Sequence, residues 1–343
     1  MAAPKRILVI GGTGAQGFAV VQDLLHASPP FAVRVLSRNP QAPDVQSKFA
    51  GLPVEIVQGS FMDFNAVEAA LQDCYGVYVN TDGFTVNEAD GLWAGVRIFE
   101  VANTIPTLRH YVYGSIDYYL QHTLFNMKYG AHHTNGKGHV DSYLQSQPSS
   151  TSERGLTWTI LNTGVYDEDL LGGPLMAQID PKDGTRTFAF PLGEGYLPML
   201  TLQDLGVFAL KVFEDRNRWS GKTFNLVSHF VTGHELAQTL SKIAGVKAVY
   251  KNVSIEGWTA SLPFANAPVA STDPKGITVG QNFAMWWPGF QDSILLPTRD
   301  MALLKEVHPD METLDGWMRR LVYDGTRKGV LKGWMDAGIG PKA

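Results

Sequence analysis

The sequence contains one cysteine, Cys74, so no disulfide can form within a chain and nothing in it calls for an oxidising compartment. It has no run approaching the ~18 consecutive apolar residues of a membrane span. Its start, Met1-Ala2-Ala3-Pro4-Lys5-Arg6, lacks the apolar stretch of a secretory signal peptide. Long blocks of like charge are also missing. The 28 Lys and Arg against 33 Asp and Glu give a net charge of −5, which argues against a broad nucleic-acid-binding surface. No Gly-x-Ser-x-Gly elbow follows a strand, so a Ser-His-Asp hydrolase is not expected. His132 and His133 adjoin one another but point different ways on a helix, with no Cys or carboxylate cluster beside them, so no metal site is expected. These absences lead us to expect a cytoplasmic chain that binds neither membrane nor nucleic acid directly, with nuclear entry left open.

What is present is ordinary globular material: 343 residues, 44% hydrophobic and 18% charged, enough for a large core and for two domains or one domain with an appendage. The first 165 residues alternate between strand-like apolar runs (5–10, 31–36, 54–57, 76–80, 109–113 and 156–161) and helix-like stretches (15–27, 65–71, 88–103 and a helix ending near 146). Repeated alternation favours right-handed crossovers and a parallel sheet covered on both faces. The expected fold is therefore α/β, a doubly wound parallel Rossmann sheet over residues 1–165. After that the rhythm breaks, with Gly172, Gly173, Pro174, Pro191, Gly193, Gly195 and Pro198 close together. Helices are expected over 201–213 and 313–323, and a strand over 222–227. Thr232 with Glu235 three residues on reads as a capping box opening a helix to Ala244. Residues 166–343 are expected to form a smaller, mixed C-terminal part for substrate or partner, interleaved with the sheet.

The strongest motif is Gly11-Gly12-Thr13-Gly14-Ala15-Gln16-Gly17, between the first strand and the first helix. Glycine permits the sharp turn and close backbone approach to a pyrophosphate, and the helix N-terminus supplies free N–H groups and a positive dipole end. A tight turn with no ligand is the alternative; the strand–loop–helix context weighs against it. At the end of the second strand, a site for NAD places Asp or Glu to accept from the ribose hydroxyls. Here the chain reads Ser37-Arg38-Asn39, and a guanidinium suits the 2′-phosphate of NADP, with Ser37 and Asn39 as further donors. NADP(H) is the expected cofactor. Gly59–Asp63, Asn80, Thr81 and Ser115 follow later strands and should line the same crevice.

With Ser-Arg-Asn-Pro (37–40), the segment His133–Leu144, and the stretches beginning at Asp204, Gly221, Thr232 and His308, the glycine loop resembles the NmrA-like branch of atypical short-chain dehydrogenases along nearly the whole chain. The resemblance implies that Gly12, Thr13, Ala15, Gln16 and Gly17 hold the phosphates, that Arg38 meets the 2′-phosphate and that Lys137 hydrogen-bonds the nicotinamide ribose. It also implies that residues 162–169, with Gly164, Val165 and Tyr166 among them, lie beside the nicotinamide. The usual pattern has Arg near 162 and Asn near 169, whereas this chain has Asn162 and Asp169, which puts contacts from those two side chains in doubt.

Typical short-chain dehydrogenases carry a Tyr four residues before the Lys, whose charge lowers the tyrosine pKa. Here that position is His133, as is common in NmrA-like proteins. The Lys137 ammonium should keep His133 neutral, and a neutral imidazole can still donate to a carbonyl. Lys137, His133 and Tyr118 are the candidate catalytic residues, with Ser115, Asp117, Tyr119, Tyr129 and His132 as other nearby donors; for the histidines and tyrosines, satisfying a polar helix start is the equal alternative. Phe283, Trp286, Trp287 and Phe290 read either as core packing or as a substrate wall, with packing favoured. Two functions stay open. One is an NADPH-dependent reductase of a small aromatic or conjugated carbonyl or imine. The other is a non-catalytic NADP(H)-sensing regulator that binds a protein partner.

Overall fold

The computed structural model describes residues 4–262 and 264–326, so the end of the 166–343 segment lies outside the described residues. The first half runs β1 (Arg6–Ile10), α1 (Ala15–His26), β2 (Ala32–Ser37), α2 (Pro43–Phe49), β3 (Val54–Gln58), α3 (Phe64–Leu71), β4 (Gly76–Val79), α4 (Glu88–Thr104), β5 (His110–Ile116), α5 (Tyr119–His122), α6 (His132–Gln145) and β6 (Thr157–Thr163). The second continues with β7 (Val165–Tyr166), β8 (Gln178–Ile179), β9 (Arg186–Ala189), β10 (Leu197–Leu200), α7 (Leu202–Glu214), α8 (Arg216–Trp219), β11 (Lys222–Asn225), β12 (His229–Val231), α9 (Gly233–Ala244) and β13 (Ala248–Lys251). It ends with α10 (Ile255–Ser261), α11 (Val279–Ala284), α12 (Trp287–Gln291), α13 (Met301–Val307) and α14 (Leu314–Arg320).

Seven parallel strands form the main sheet in the order β11-β6-β5-β4-β1-β2-β3. The order reverses between β1 and β4, which is where a doubly wound sheet opens a crevice at the carboxyl ends of its strands. Alternation along each strand assigns the faces. Ile7 and Val9 of β1 pack with Val20 and Leu24 of α1 and Phe208 and Val212 of α7. Leu8 and Ile10 face Val67 of α3, Ile98 of α4 and Val140 of α6. The expected parallel sheet is thus present, and its seventh strand, β11, and one covering helix, α7, come from beyond residue 200. The capping box is present as read: the Thr232 hydroxyl accepts from Glu235 N–H, and the Glu235 carboxylate accepts from Thr232 N–H.

The remaining strands form two small sheets, β12-β10-β7 and β13-β9-β8. A separate apolar core beside them holds Phe188, Phe190, Trp258, Trp287, Phe290 and Trp317. A buried ion pair ties the segment just before α13 to the end of β5. Arg299 donates from Nη1 and Nη2 to the two carboxylate oxygens of Asp117, at 2.5 and 2.6 Å, with both side chains buried. No helix among the described residues is long and apolar enough to cross a membrane.

Removing one member of a buried pair strands the other charge, at a cost of roughly 3–5 kcal/mol, whereas replacing both with apolar residues is often neutral. We therefore expect Arg299→Ala to lower unfolding stability on that scale in urea titrations followed by circular dichroism, and Asp117→Leu/Arg299→Met to recover most of the loss. A single-variant change below about 1 kcal/mol, the level of an exposed pair, would show that this pair is not held as a buried one.

Candidate functional site

A cleft of about 440 Å³ opens along the carboxyl ends of β1, β2, β4, β5 and β6. Its β2 side is built from the glycine loop. Gly11 has φ of +83°, and a Cβ at Gly17 would collide with the Gly11 carbonyl, so the turn and the close entry of α1 both require glycine. Gly14 caps α1 with no side chain, so the first-turn amides keep their hydrogen-bonding capacity toward the cleft. Thr13, Gly14, Ala15 and Gln16 line it there, and Gln16 Nε2 donates to the Tyr78 hydroxyl at 2.7 Å. Gly12 and Gly17 lie beneath the loop, outside the lining. Ser37 and Arg38 line the same side, with Gly59, Ser60 and Phe61 beyond them. Arg38 is exposed, and among the described residues no carboxylate pairs with it. Asn39 is exposed and outside the lining.

The β5–β6 side carries the titratable groups. Lys137, one turn into α6, donates from Nζ to Asn80 Oδ1 and to the Gly114 carbonyl, both at 2.7 Å. Burial brings its pKa down to about 8, against the pull of Asp141 and Asp82. Ser115 Oγ donates to Asp141 Oδ2 at 2.8 Å, and burial holds that carboxyl well above the usual range. Thr81 is buried against the Tyr113 hydroxyl at 3.2 Å. Ser115, Asn80 and Thr81 all line the cleft, as do Gly164, Val165 and Tyr166 after β6.

His133 lies in the first turn of α6. Asn282, buried in α11, accepts from the His132 backbone N–H at 2.9 Å through Oδ1. That fixes the amide orientation, so Asn282 Nδ2 donates to His133 Nδ1 at 2.8 Å. Nδ1 is then the acceptor, and a neutral His133 carries its proton on Nε2. Burial lowers its pKa to about 4, while His132 and Lys137 add smaller pushes in the same direction. The ring is neutral as expected, but loss of water rather than the neighbouring ammonium is the main cause. It stacks on Phe84 at 5.3 Å and lies 5.5 Å from Phe283.

Other candidates fall elsewhere. Tyr118 is outside the cleft: it is buried with its ring over Gly138 and its hydroxyl 3.1 Å from His139 Nδ1. Asp117 is consumed by Arg299, and Tyr119 is buried in the C-terminal core. The Tyr129 hydroxyl donates to Asp292 at 2.7 Å, and His132 faces Glu88 at 3.5 Å. Asn162 turns away, donating to Asn225 Oδ1 at 2.9 Å. Asp169, by contrast, lines the cleft. Its carboxyl is pushed up to about 7 by burial and by Glu168. The aromatic segment divides: Phe283 and Trp286 line the cleft, while Trp287 and Phe290 pack in the core. Sequence reasoning missed Phe84 and Asn282. The Thr278–Gln281 capping box, present in the structure, marked the start of α11 but could not pair Asn282 with a histidine 149 positions away.

A model of the NmrA-like family matches residues 3–270. The NmrA-like family domain-containing oxidoreductase lnaB of Aspergillus flavus is 27% identical over 274 residues, covering 75% of this chain and 78% of that protein. Among solved structures, NmrA, a negative transcriptional regulator, in complex with NADP, superposes with a TM-score of 0.71 at 16% identity, over 93% of this chain and 96% of that one. The NADPH-dependent quinone oxidoreductase QOR2 of Escherichia coli, complexed with NADPH, gives 0.69 at 20% identity, over 92% and 100%. These likenesses show a shared fold.

The His133 geometry has a direct check. Nitrogen NMR of imidazole-labelled protein should show the neutral Nε2–H tautomer from about pH 5 to about pH 8, and Asn282→Ala should mix the tautomers. A wild-type ring that titrates at its ordinary midpoint would contradict the burial described here.

Proposed function

The chain belongs to the NmrA-like family, and from that footing we propose that it is an NADPH-dependent reductase of a small aromatic or conjugated carbonyl or imine compound. The observation that carries the reading is the joining, in one cleft, of an uncapped helix N-terminus, an unpaired guanidinium and a buried lysine, under a wall of aromatic rings. The α1 amides and dipole fit a pyrophosphate. Arg38, with Ser37, fits the 2′-phosphate. Lys137, steadied by Asn80 and Gly114, would hold the nicotinamide ribose, and the Gly164–Tyr166 backbone would flank the nicotinamide. When bound, the dinucleotide supplies a hydride.

The protein's own part is to orient, to exclude water and to polarise. Phe84, Phe283 and Trp286 wall the β5–β6 end. His133 would donate its Nε2–H bond to the substrate oxygen or nitrogen. Full loss of that proton would leave an imidazolate, so His133 polarises the acceptor, and the proton that completes the reduction of a carbonyl or neutral imine comes from solvent as the cleft reopens. An NADP(H)-sensing regulator is the second reading. It draws on His133 in place of Tyr and on the exposed apolar turn of Leu124, Phe125 and Met127.

Arg38→Ala should weaken NADPH binding by ~1–3 kcal/mol, the scale of a lost charge-assisted bond, and leave NADH little changed in fluorescence titrations. Equal losses for both would remove the 2′-phosphate assignment. NADPH consumption with a panel of aromatic and conjugated carbonyls and imines separates the two readings: turnover that falls in Lys137→Met supports the reductase, and none at saturating cofactor favours the regulator.

A further inference from the structure

The β5–β6 end of the cleft has an acid whose purpose the cofactor does not explain. Asp169 lies in the short helical turn Asp167–Leu171 after β7. Its two acidic neighbours lie outside the cleft lining. Asp167 faces His229 Nε2 at 3.4 Å, and Glu168 accepts from the Leu202 backbone N–H and from Trp317 Nε1, each at 3.3 Å. Asp169 alone of the three lines the cleft. Among the described residues no Lys, Arg or His pairs with it, and the Tyr166 backbone amide is the donor that favours its charge. A Cβ on Gly173 would collide with its Oδ1, so the bare backbone of Gly172 and Gly173 keeps room around the carboxyl.

The surroundings suit a cation. Phe84 and Phe283 lie nearly parallel, 11° apart with centroids 6.4 Å apart, and Trp286 stands edge-on to Phe283 at 5.4 Å. Aromatic faces attract positive charge. His133, within this wall, is neutral and does not repel it. Lys137, the lysine in the cleft lining, is tied to Asn80 and Gly114, while the Asp82 carboxylate is taken up by Phe84 N–H and the Thr85 hydroxyl. A buried carboxyl with no cationic partner carries a desolvation penalty that an incoming cation relieves.

We infer that this end of the cleft holds a flat, conjugated molecule carrying a positively charged nitrogen, with the Asp169 carboxylate as counter-charge and Phe84, Phe283 and Trp286 as walls. This deepens the reductase reading and rests on it. The chemistry is balanced without a proton donor. At a C=N⁺ group a hydride from the reduced dinucleotide forms the new C–H bond, the C=N π pair returns to nitrogen, and the positive charge is discharged with no proton consumed. The lack of a tyrosine at position 133 costs such a substrate nothing.

The test is a binding measurement on the full chain. It uses 10-methylacridinium against the uncharged ring acridine, by fluorescence quenching at about pH 8.5, above the Asp169 midpoint. The cleft is first filled with tetrahydro-NADP, a reduced analogue unable to give up hydride, whose own affinity is measured separately. The wild type should bind the cation roughly tenfold or more tightly than acridine, the scale of one well-placed charge contact. Asp169→Asn should abolish that preference when cation and acridine are compared on the variant itself, with the analogue at a concentration that saturates it. If the analogue binds but the cation is not preferred, or its preference survives Asp169→Asn, the inference is overturned and the reductase reading stands. If the analogue does not bind, the dinucleotide assignment falls first and the inference with it. The comparison of cation and neutral ring in the wild type needs no variant.

Discussion

The first six strands of the sheet, β1 to β6, present apolar side chains on both faces, so both faces need a covering layer. That requirement shapes the rest of the molecule. Helices α3, α4 and α6 close one face, but α1 and α2 cannot fill the other alone. The chain returns beyond residue 200 to add α7 to that face and β11 to the sheet edge. Because all crossovers lie on the faces, the carboxyl ends of the strands stay open, and the crevice appears where the strand order reverses.

Into that crevice the structure buries groups that water would otherwise keep charged. Lys137, His133, Asp141 and Asp169 all shift toward their uncharged forms, and in each case burial is the leading cause. Hydrogen bonds then decide what each can do. Lys137 is spent on Asn80 and Gly114 and is held at a fixed place, and Asp141 is spent on Ser115. His133 keeps a donor because Asn282 takes up its other nitrogen. Asp169 keeps both carboxyl oxygens without a side-chain partner, which makes it the most responsive group in the cleft to whatever binds there.

Much of this was legible in the sequence wherever the physics is local. The run Ile7–Ile10 is apolar at every position because both strand faces are covered, and the glycine loop announced the turn into α1. The Thr232–Glu235 capping box appeared where its spacing put it. Arg38 reached the cleft because it follows directly on β2. What could not be read is what depends on distant partners. Tyr118 looked available from its place after β5, yet packing against Gly138 and His139 turns it away. Asn162 and Asp169 were both in doubt as lining residues. Asn225, on a strand whose place in the sheet was not legible, draws the first away, while the second faces the cleft. The role of Asn282 was also hidden, because its partner lies on a different helix far back in the chain.

The bond between Asn282 and His133 ties α11, far along the second half of the chain, to the first turn of α6. An amide 149 positions away thus sets which ring nitrogen keeps its hydrogen. The polarity of this corner of the cleft is decided by a segment that adds no strand to the main sheet, so the two halves of the chain share one donor between them.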